Sequence, residues 1–104
     1  MKIALDFDDT YTLDPTFWDD FLDLAYNYEH DVRIVTHRHP ELDKIVPPFG
    51  NKTYYTNGVA KRWWLEHNTD WMPDVWIDDK PKNILENSDK TPEWLANWRE
   101  TREG

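Results

Sequence analysis

Two acidic clusters in this 104-residue chain contain residue types that bind cations and transfer protons or phosphoryl groups. Each cluster follows a short apolar run, and their members are Asp6, Asp8 and Asp9 in the first and Asp78 and Asp79 in the second. Crowded carboxylates repel one another unless a cation or a proton offsets their charge. Carboxylate oxygens are ligands that Mg²⁺ prefers, so the clusters predict either a magnesium site or two solvated turns.

The elements that would position these clusters alternate between strand and helix. The pattern predicts strands at 2–6, 31–36, 53–56 and 74–79, and helices at 15–30, 39–46, 59–68 and from 91 onward. Such alternation is typical of a parallel sheet flanked by helices. We therefore expect one domain, 1–104, with an α/β, three-layer Rossmann-like fold and a short, mostly parallel sheet of about four strands.

Polar residues follow three of the predicted strands, at the ends where ligands bind in parallel sheets. Asp6 and Asp8 are two positions apart, so they share one face of an extended chain at about 6–7 Å. The hydroxyl of Thr36 and the backbone N–H groups after it can bind a phosphate oxygen, although Thr also favours strands. Lys61 lies in the first turn or two of a predicted helix, where it does not favour the helix dipole, so either a ligand role or a solvated lysine fits.

Composition narrows the possible function classes. The formal net charge is −9, which disfavours general binding to nucleic acid or to an anionic membrane. There is no cysteine, so disulfides, Cys–zinc sites and thiol nucleophiles are excluded. No apolar run has the length of a membrane span, and the start MKIALDFDD lacks a signal-peptide pattern, so we expect a cytoplasmic protein.

Four segments resemble the motifs of one enzyme family. DFDDT (6–10), Thr36, Lys61 and WIDDKP (76–81) are similar, in that order, to the four motifs of the haloacid dehalogenase-like (HAD) superfamily of phosphohydrolases. The resemblance covers nearly the whole chain. Little sequence separates Thr10 from the next helix or Thr36 from Lys61, so the chain looks like a small, capless member of the phage type.

The resemblance implies a role for each matched residue. Asp6 would be the nucleophile that forms an aspartyl-phosphate, and Asp8 the general acid and base. Thr36 would bind phosphoryl oxygens, and Lys61 would offset the negative charge. The implied cofactor is Mg²⁺, and its implied ligands are Asp6, the backbone carbonyl of Asp8, Asp78 and, in an assisting role, Asp79.

Substrate binding is assigned to Thr10, His37 and Arg38. Arg38 can form a fork onto a second phosphate, with a basic surface loop as the alternative interpretation. The expected partner is a phosphorylated substrate, either a small molecule or a macromolecular end, and a homo-oligomer is left open. Capless HAD members often act on macromolecules or borrow a lid from a partner subunit.

Three other functions compete with a Mg²⁺-dependent phosphatase. The chain size also fits a non-catalytic binding or inhibitor module on a decayed HAD scaffold. A phosphoacceptor receiver domain uses similar residues, but there the lysine comes last, whereas Lys61 precedes Asp78. A metal-dependent nuclease is disfavoured by the net charge and by the missing basic track. Arg62 and Lys52 remain alternatives to Lys61.

Overall fold

The computed structural model describes residues 1–88, which form a four-stranded sheet with helices on both faces. The strands are β1 (Lys2–Leu5), β2 (Asp31–Thr36), β3 (Thr53–Tyr55) and β4 (Val75–Ile77), and the helices are α1 (Pro15–Asn27), α2 (Lys61–Asn68) and α3 (Lys82–Leu85). Short 3₁₀ turns lie at Tyr11–Leu13 and Pro48–Gly50. None of the helices within residues 1–88 has the length and apolarity needed to cross a membrane.

All four strands are parallel, in the order β3-β2-β1-β4. Ile3 of β1 lies opposite Val32 of β2 on one side and Val75 of β4 on the other. The chain runs outward from β1 to β3 and then returns to place β4 on the other side of β1. This reversal makes the carboxyl ends of β1 and β4 a topological switch point, where parallel sheets bind ligands.

Apolar side chains fill both faces of the sheet because neighbouring residues of a strand point in opposite directions. The buried cluster beside α1 consists of Ile3, Leu5, Leu22, Ala25, Val32, Ile34 and Ile45. The cluster beside α2 consists of Ala4, Val35, Tyr54, Leu65 and Trp71. The three-layer arrangement expected from the sequence is therefore confirmed and is compatible with a Rossmann-like fold.

The predicted start of α1 is confirmed, while its end comes earlier than predicted. Asp14 caps the helix because its Oδ1 accepts the backbone N–H of Phe17 at 3.2 Å. The helix ends at Asn27, three residues before the predicted 30. Glu29 there has φ 61°, and the N–H of His30 donates to the carbonyl of Ala25 at 2.9 Å, which is a Schellman-type end.

The helix predicted at 39–46 is wrong, because that segment forms a turn and then irregular chain. His39 Nδ1 accepts the backbone N–H groups of Glu41 and Leu42, which fixes the turn. Ile45 packs into the core, whereas Leu42 is 82% exposed and Val46 is 90% exposed, so one apolar residue anchors the segment. A segment this short needs tertiary packing to be helical.

The remaining element boundaries differ from the prediction by a few residues. The strands predicted at 2–6, 53–56 and 74–79 and the helix predicted at 59–68 are all shorter in the structure. Helix α3 was not predicted. The helix predicted from 91 lies outside the described residues.

Candidate functional site

Three carboxylates meet at the carboxyl ends of β1 and β4. One oxygen each from Asp6, Asp78 and Asp79 lies within 4.8 Å of the others. The backbone N–H of Asp6 donates to the carbonyl of Ile77 at 2.9 Å, so the two strand ends stay in register where the acidic residues begin. The predicted proximity of the two acidic clusters is therefore seen in the fold.

A buried ammonium group lies among these carboxylates. Lys61 Nζ is 2.8 Å from Asp6 Oδ1 and 2.5 Å from Asp78 Oδ2, and the residue is only 2% exposed. Lys61 is the first residue of α2, so the helix start sets its position. Arg62, the next residue, pairs instead with Glu66 on the exposed side of α2. Lys52 lies over the ring of Tyr54, 5.2 Å from its centroid. Of these three basic residues, Lys61 is the one that contacts the acidic cluster.

The site holds more negative than positive charge. Burial raises the pKa of Asp6 to about 7, while Lys61 acts in the opposite direction and Asp79 and Asp78 add to the rise. Buried carboxylates are stabilised as anions by an added cation. All donors in this cluster are oxygens, which suits a hard cation such as Mg²⁺. Asp6, Asp78 and Asp79 are therefore the residues that fit a metal ion.

Thr10 connects the carboxylates. Its Oγ1 lies 3.2 Å from Asp6 Oδ2 and 3.4 Å from Asp79 Oδ1, and it accepts the backbone N–H of Asp79 at 3.2 Å. Thr10 is buried, and these contacts fix the relative positions of the two strand ends. A substrate contact by Thr10 stays a prediction.

Asp8 lies beside the acidic cluster, and its carboxylate faces Arg38. Asp8 Oδ1 accepts from Nη2 of Arg38 at 2.8 Å, and Oδ2 accepts from Nε at 2.9 Å. This hydrogen bonding by Arg38 holds the pKa of Asp8 below its usual value. A metal contact through the backbone carbonyl of Asp8 stays a prediction. The next residue, Asp9, has φ 59°, which turns the chain sharply away from β1.

Thr36 is the last residue of β2, which neighbours β1, and His37 follows it. Thr36 is buried, and its Oγ1 accepts the backbone N–H of Arg38 at 3.2 Å. His37 Nε2 lies 3.3 Å from the carbonyl oxygen of Asn83. Burial, followed by the charge of Lys61, lowers the pKa of His37 to about 4, so its ring is neutral near pH 7. The phosphate contacts predicted for Thr36 and His37 stay predictions.

A small cavity of about 80 Å³ opens onto the cluster. Its lining residues are Asp6, Asp8, Asp9, His37, Lys61, Asp79, Lys80 and Asn83. Lys80 and Asn83 were missed from the sequence, although both follow Asp79 within four positions. Helix α3 positions Asn83, and the N–H of Lys80 donates to Asp78 Oδ1 at 2.9 Å. The cavity is large enough for a small ion or a small chemical group next to Asp6, and a larger ligand would extend out of the cavity toward the solvent.

Comparisons with protein-family models, with curated proteins and with solved structures find no match to this chain.

Proposed function

We propose that this protein is a Mg²⁺-dependent phosphatase of the HAD type, without a cap domain, that hydrolyses a phosphate monoester. The observation that carries the proposal is the buried contact of Lys61 with Asp6 and Asp78 at the edge of a three-carboxylate cluster. This arrangement supplies a carboxylate nucleophile, a fixed positive charge and oxygen donors for a metal at one point.

The proposed reaction has two displacements. An oxygen of Asp6 attacks phosphorus, the ester bond breaks, and the leaving oxygen takes a proton from Asp8. Water then attacks the phosphorus of the aspartyl-phosphate and gives a proton to Asp8, which releases inorganic phosphate and restores Asp6. One acid–base group thus serves both halves.

Charge compensation makes attack by a carboxylate on an anionic phosphate feasible. Lys61 lies 2.8 Å from Asp6 Oδ1 and so offsets charge on the nucleophile. Bound Mg²⁺ would add Lewis-acid stabilisation of the phosphoryl oxygens. Thr36, at the end of the neighbouring strand, is the proposed ligand of those oxygens. Most of the catalysis then comes from positioning and electrostatics.

One observation favours the competing function, a non-catalytic binding module. Arg38 engages both carboxylate oxygens of Asp8 and holds the pKa of Asp8 below its usual value, whereas a general acid must carry a proton and reach the leaving oxygen. Turnover therefore decides between the two functions.

The test is hydrolysis of p-nitrophenyl phosphate with and without Mg²⁺. Asp6→Asn removes the nucleophile and is expected to lower turnover by about a thousandfold or more. Asp20→Asn removes one exposed carboxylate of α1 that does not line the cavity at Asp6, and it should leave turnover unchanged. Equal turnover in the wild type and in Asp6→Asn would overturn the proposal, and no turnover in either protein would favour the binding module.

A further inference from the structure

The guanidinium group of Arg38 is held at one point beside the candidate site. It forms two hydrogen bonds with Asp8, and its Nη1 donates to the carbonyl of Asp43 at 3.3 Å. Its central carbon lies 5.2 Å from the ring centroid of Phe7. The contacts with Asp43 and Phe7 do not involve Asp8, so they can keep the guanidinium oriented when a ligand replaces Asp8, which reduces the entropy lost on binding.

The backbone that carries Arg38 is also fixed. The N–H of Gly58 donates to the carbonyl of His37 at 2.8 Å, and the N–H of Asn57 donates to the carbonyl of Arg38 at 3.2 Å. Thr36 Oγ1 accepts the N–H of Arg38 at 3.2 Å. The loop after β2 is therefore tied both to the end of its own strand and to the turn after β3.

A groove of about 420 Å³ adjoins the small cavity at Asp6. The two share Asp8, His37 and Lys80, and the groove also contains Arg38 and His39. Two basic side chains, Arg38 and Lys80, line this groove together with two carboxylates, Asp8 and Asp43. A substrate whose phosphate lies at Asp6 would extend into this groove.

The ion pair between Arg38 and Asp8 is suited to exchange. The Arg38 side chain is 33% exposed and that of Asp8 is 49% exposed. Water solvates both groups of a pair with this exposure, so giving up the fork to Asp8 costs less than breaking a buried ion pair. A second anion in the groove can therefore replace Asp8 as the partner of Arg38, and a guanidinium binds phosphate or carboxylate through the same fork.

Resting on the phosphatase function proposed above, we propose that Arg38 determines specificity by binding a second anionic group of the substrate. The preferred substrates are phosphate monoesters that carry a further phosphate or a carboxylate near the ester. When that group takes Arg38, the carboxylate of Asp8 loses its two contacts with Arg38 and is left to face the leaving oxygen. The arrangement couples recognition of the second anion to the availability of Asp8.

The test compares two matched substrate pairs, each with and without a second anion. Thymidine 3′,5′-bisphosphate is compared with thymidine 5′-monophosphate, and 2-phosphoglycolate with ethyl phosphate. The wild type should favour the second anion in kcat/KM by about tenfold or more in at least one pair, since a fork to an anion is a strong contact. The pair that shows the preference tells whether phosphate or carboxylate is the natural group.

Variants of Arg38 test the origin of that preference. Arg38→Met should bring the kcat/KM ratio close to one because it removes the fork that would bind the second anion. Arg38→Lys keeps the charge without the fork and should give an intermediate ratio. Arg62→Met, which removes an exposed arginine of α2, is the matched control and should keep the wild-type ratio. Thermal melting of each variant verifies that it is folded.

Binding separates failure of this inference from failure of the phosphatase proposal. Calorimetry with Asp6→Asn measures the affinity for both substrates of a pair without turnover, and Asp6→Asn/Arg38→Met should lose any preference for the second anion. Hydrolysis with no preference in either pair, or a preference that survives Arg38→Met, overturns the role of Arg38 and leaves the phosphatase. Preferential binding that depends on Arg38, without hydrolysis by the wild type, supports the second-anion site and overturns the phosphatase.

Discussion

At the candidate site, carboxylates outnumber the ammonium groups that they contact. Three carboxylates converge there, and two of them, Asp6 and Asp78, contact the buried ammonium of Lys61. A buried charge is stable only when it is paired and hydrogen-bonded. The charge of Asp6 is not fully compensated, as its pKa of about 7 indicates. In a metal-free protein the imbalance lowers stability, and it favours binding of either a proton or a cation.

The raised pKa of Asp6 predicts how stability depends on pH in the absence of metal. Between about pH 4 and 7 the native state keeps a proton on Asp6 that the unfolded chain releases, since 3.8 is the pKa of a free aspartate. The free energy of unfolding from this group therefore falls as pH rises through that range. Asp6→Asn removes the titration, so it should stabilise the metal-free protein more at about pH 8 than at about pH 5.

The measurement is urea unfolding of the wild type and Asp6→Asn in a metal chelator at both pH values. His37, whose pKa is lowered, also titrates, but it does so in both proteins and cancels in the difference. Asp20→Asn, at an exposed position of α1, removes the same charge and is the control. A stability difference for Asp6→Asn that stays the same between about pH 5 and about pH 8 would contradict the raised pKa of Asp6.

Among the elements, the turn after β3 holds the loop after β2. Asn57 and Gly58 both have positive φ, 51° and 79°, and their N–H groups reach the carbonyls of Arg38 and His37. Gly58 is buried, and its own carbonyl accepts the N–H of Ser88 at 2.7 Å. The turn thus joins three segments of the chain beside the groove.

Gly58→Ala is expected to destabilise the protein by about 1–2 kcal/mol, because a Cβ is unfavourable at this φ. A change in the backbone of this turn should also loosen the loop that carries His37 and Arg38, and so weaken binding of substrates with a second anion. Asn57→Gly, at the neighbouring position, suits its positive φ and should change stability by less than about 0.5 kcal/mol. Denaturant unfolding of both variants checks this pair, and an equal effect of the two would contradict the role given to Gly58.

The sequence predicted well those features that depend on local pattern and on the rules of parallel sheets. Apolar runs located all four strands, and the rule for strand ends predicted that Asp6 and Asp78 would meet. Asp14 and Pro15 located the start of α1 from capping chemistry alone. These features follow from a few neighbouring residues, so one sequence suffices for them.

Features set by side-chain contacts between distant segments were not predictable in this way. The pair between Asp8 and Arg38 joins residues thirty positions apart and depends on the path of two loops. The segment 39–46 had a helical pattern, but only Ile45 of its three larger apolar residues packs into the core, while Leu42 and Val46 are exposed. Lys61, in contrast, was ambiguous beside Arg62 until the start of α2 fixed which of the two faces inward.

Taken as a whole molecule, the protein combines high negative charge with a site that faces the solvent. The net charge of −9 attracts any cation weakly. The acidic cluster at the ends of β1 and β4 is one place where oxygen ligands converge. A specific magnesium site and general screening of charge both predict that Mg²⁺ stabilises the protein. They differ in which residue the effect depends on and in whether Na⁺ reproduces it.

A specific site predicts that saturating Mg²⁺ raises the melting temperature by about 10 °C or more, since ligand at a hundred times Kd adds about 2.7 kcal/mol. Asp78→Asn should abolish most of that rise relative to its own metal-free melting temperature, because it removes one of the three converging carboxylates. Asp20→Asn removes the same charge from the exposed side of α1 and should keep the full rise.

Because NaCl at matched ionic strength screens charge without filling the site, it should give a smaller shift that is equal in all three proteins. If Asp78→Asn and Asp20→Asn respond alike to Mg²⁺, the stabilisation arises from screening over the whole surface, and the proposal of a specific magnesium site is wrong.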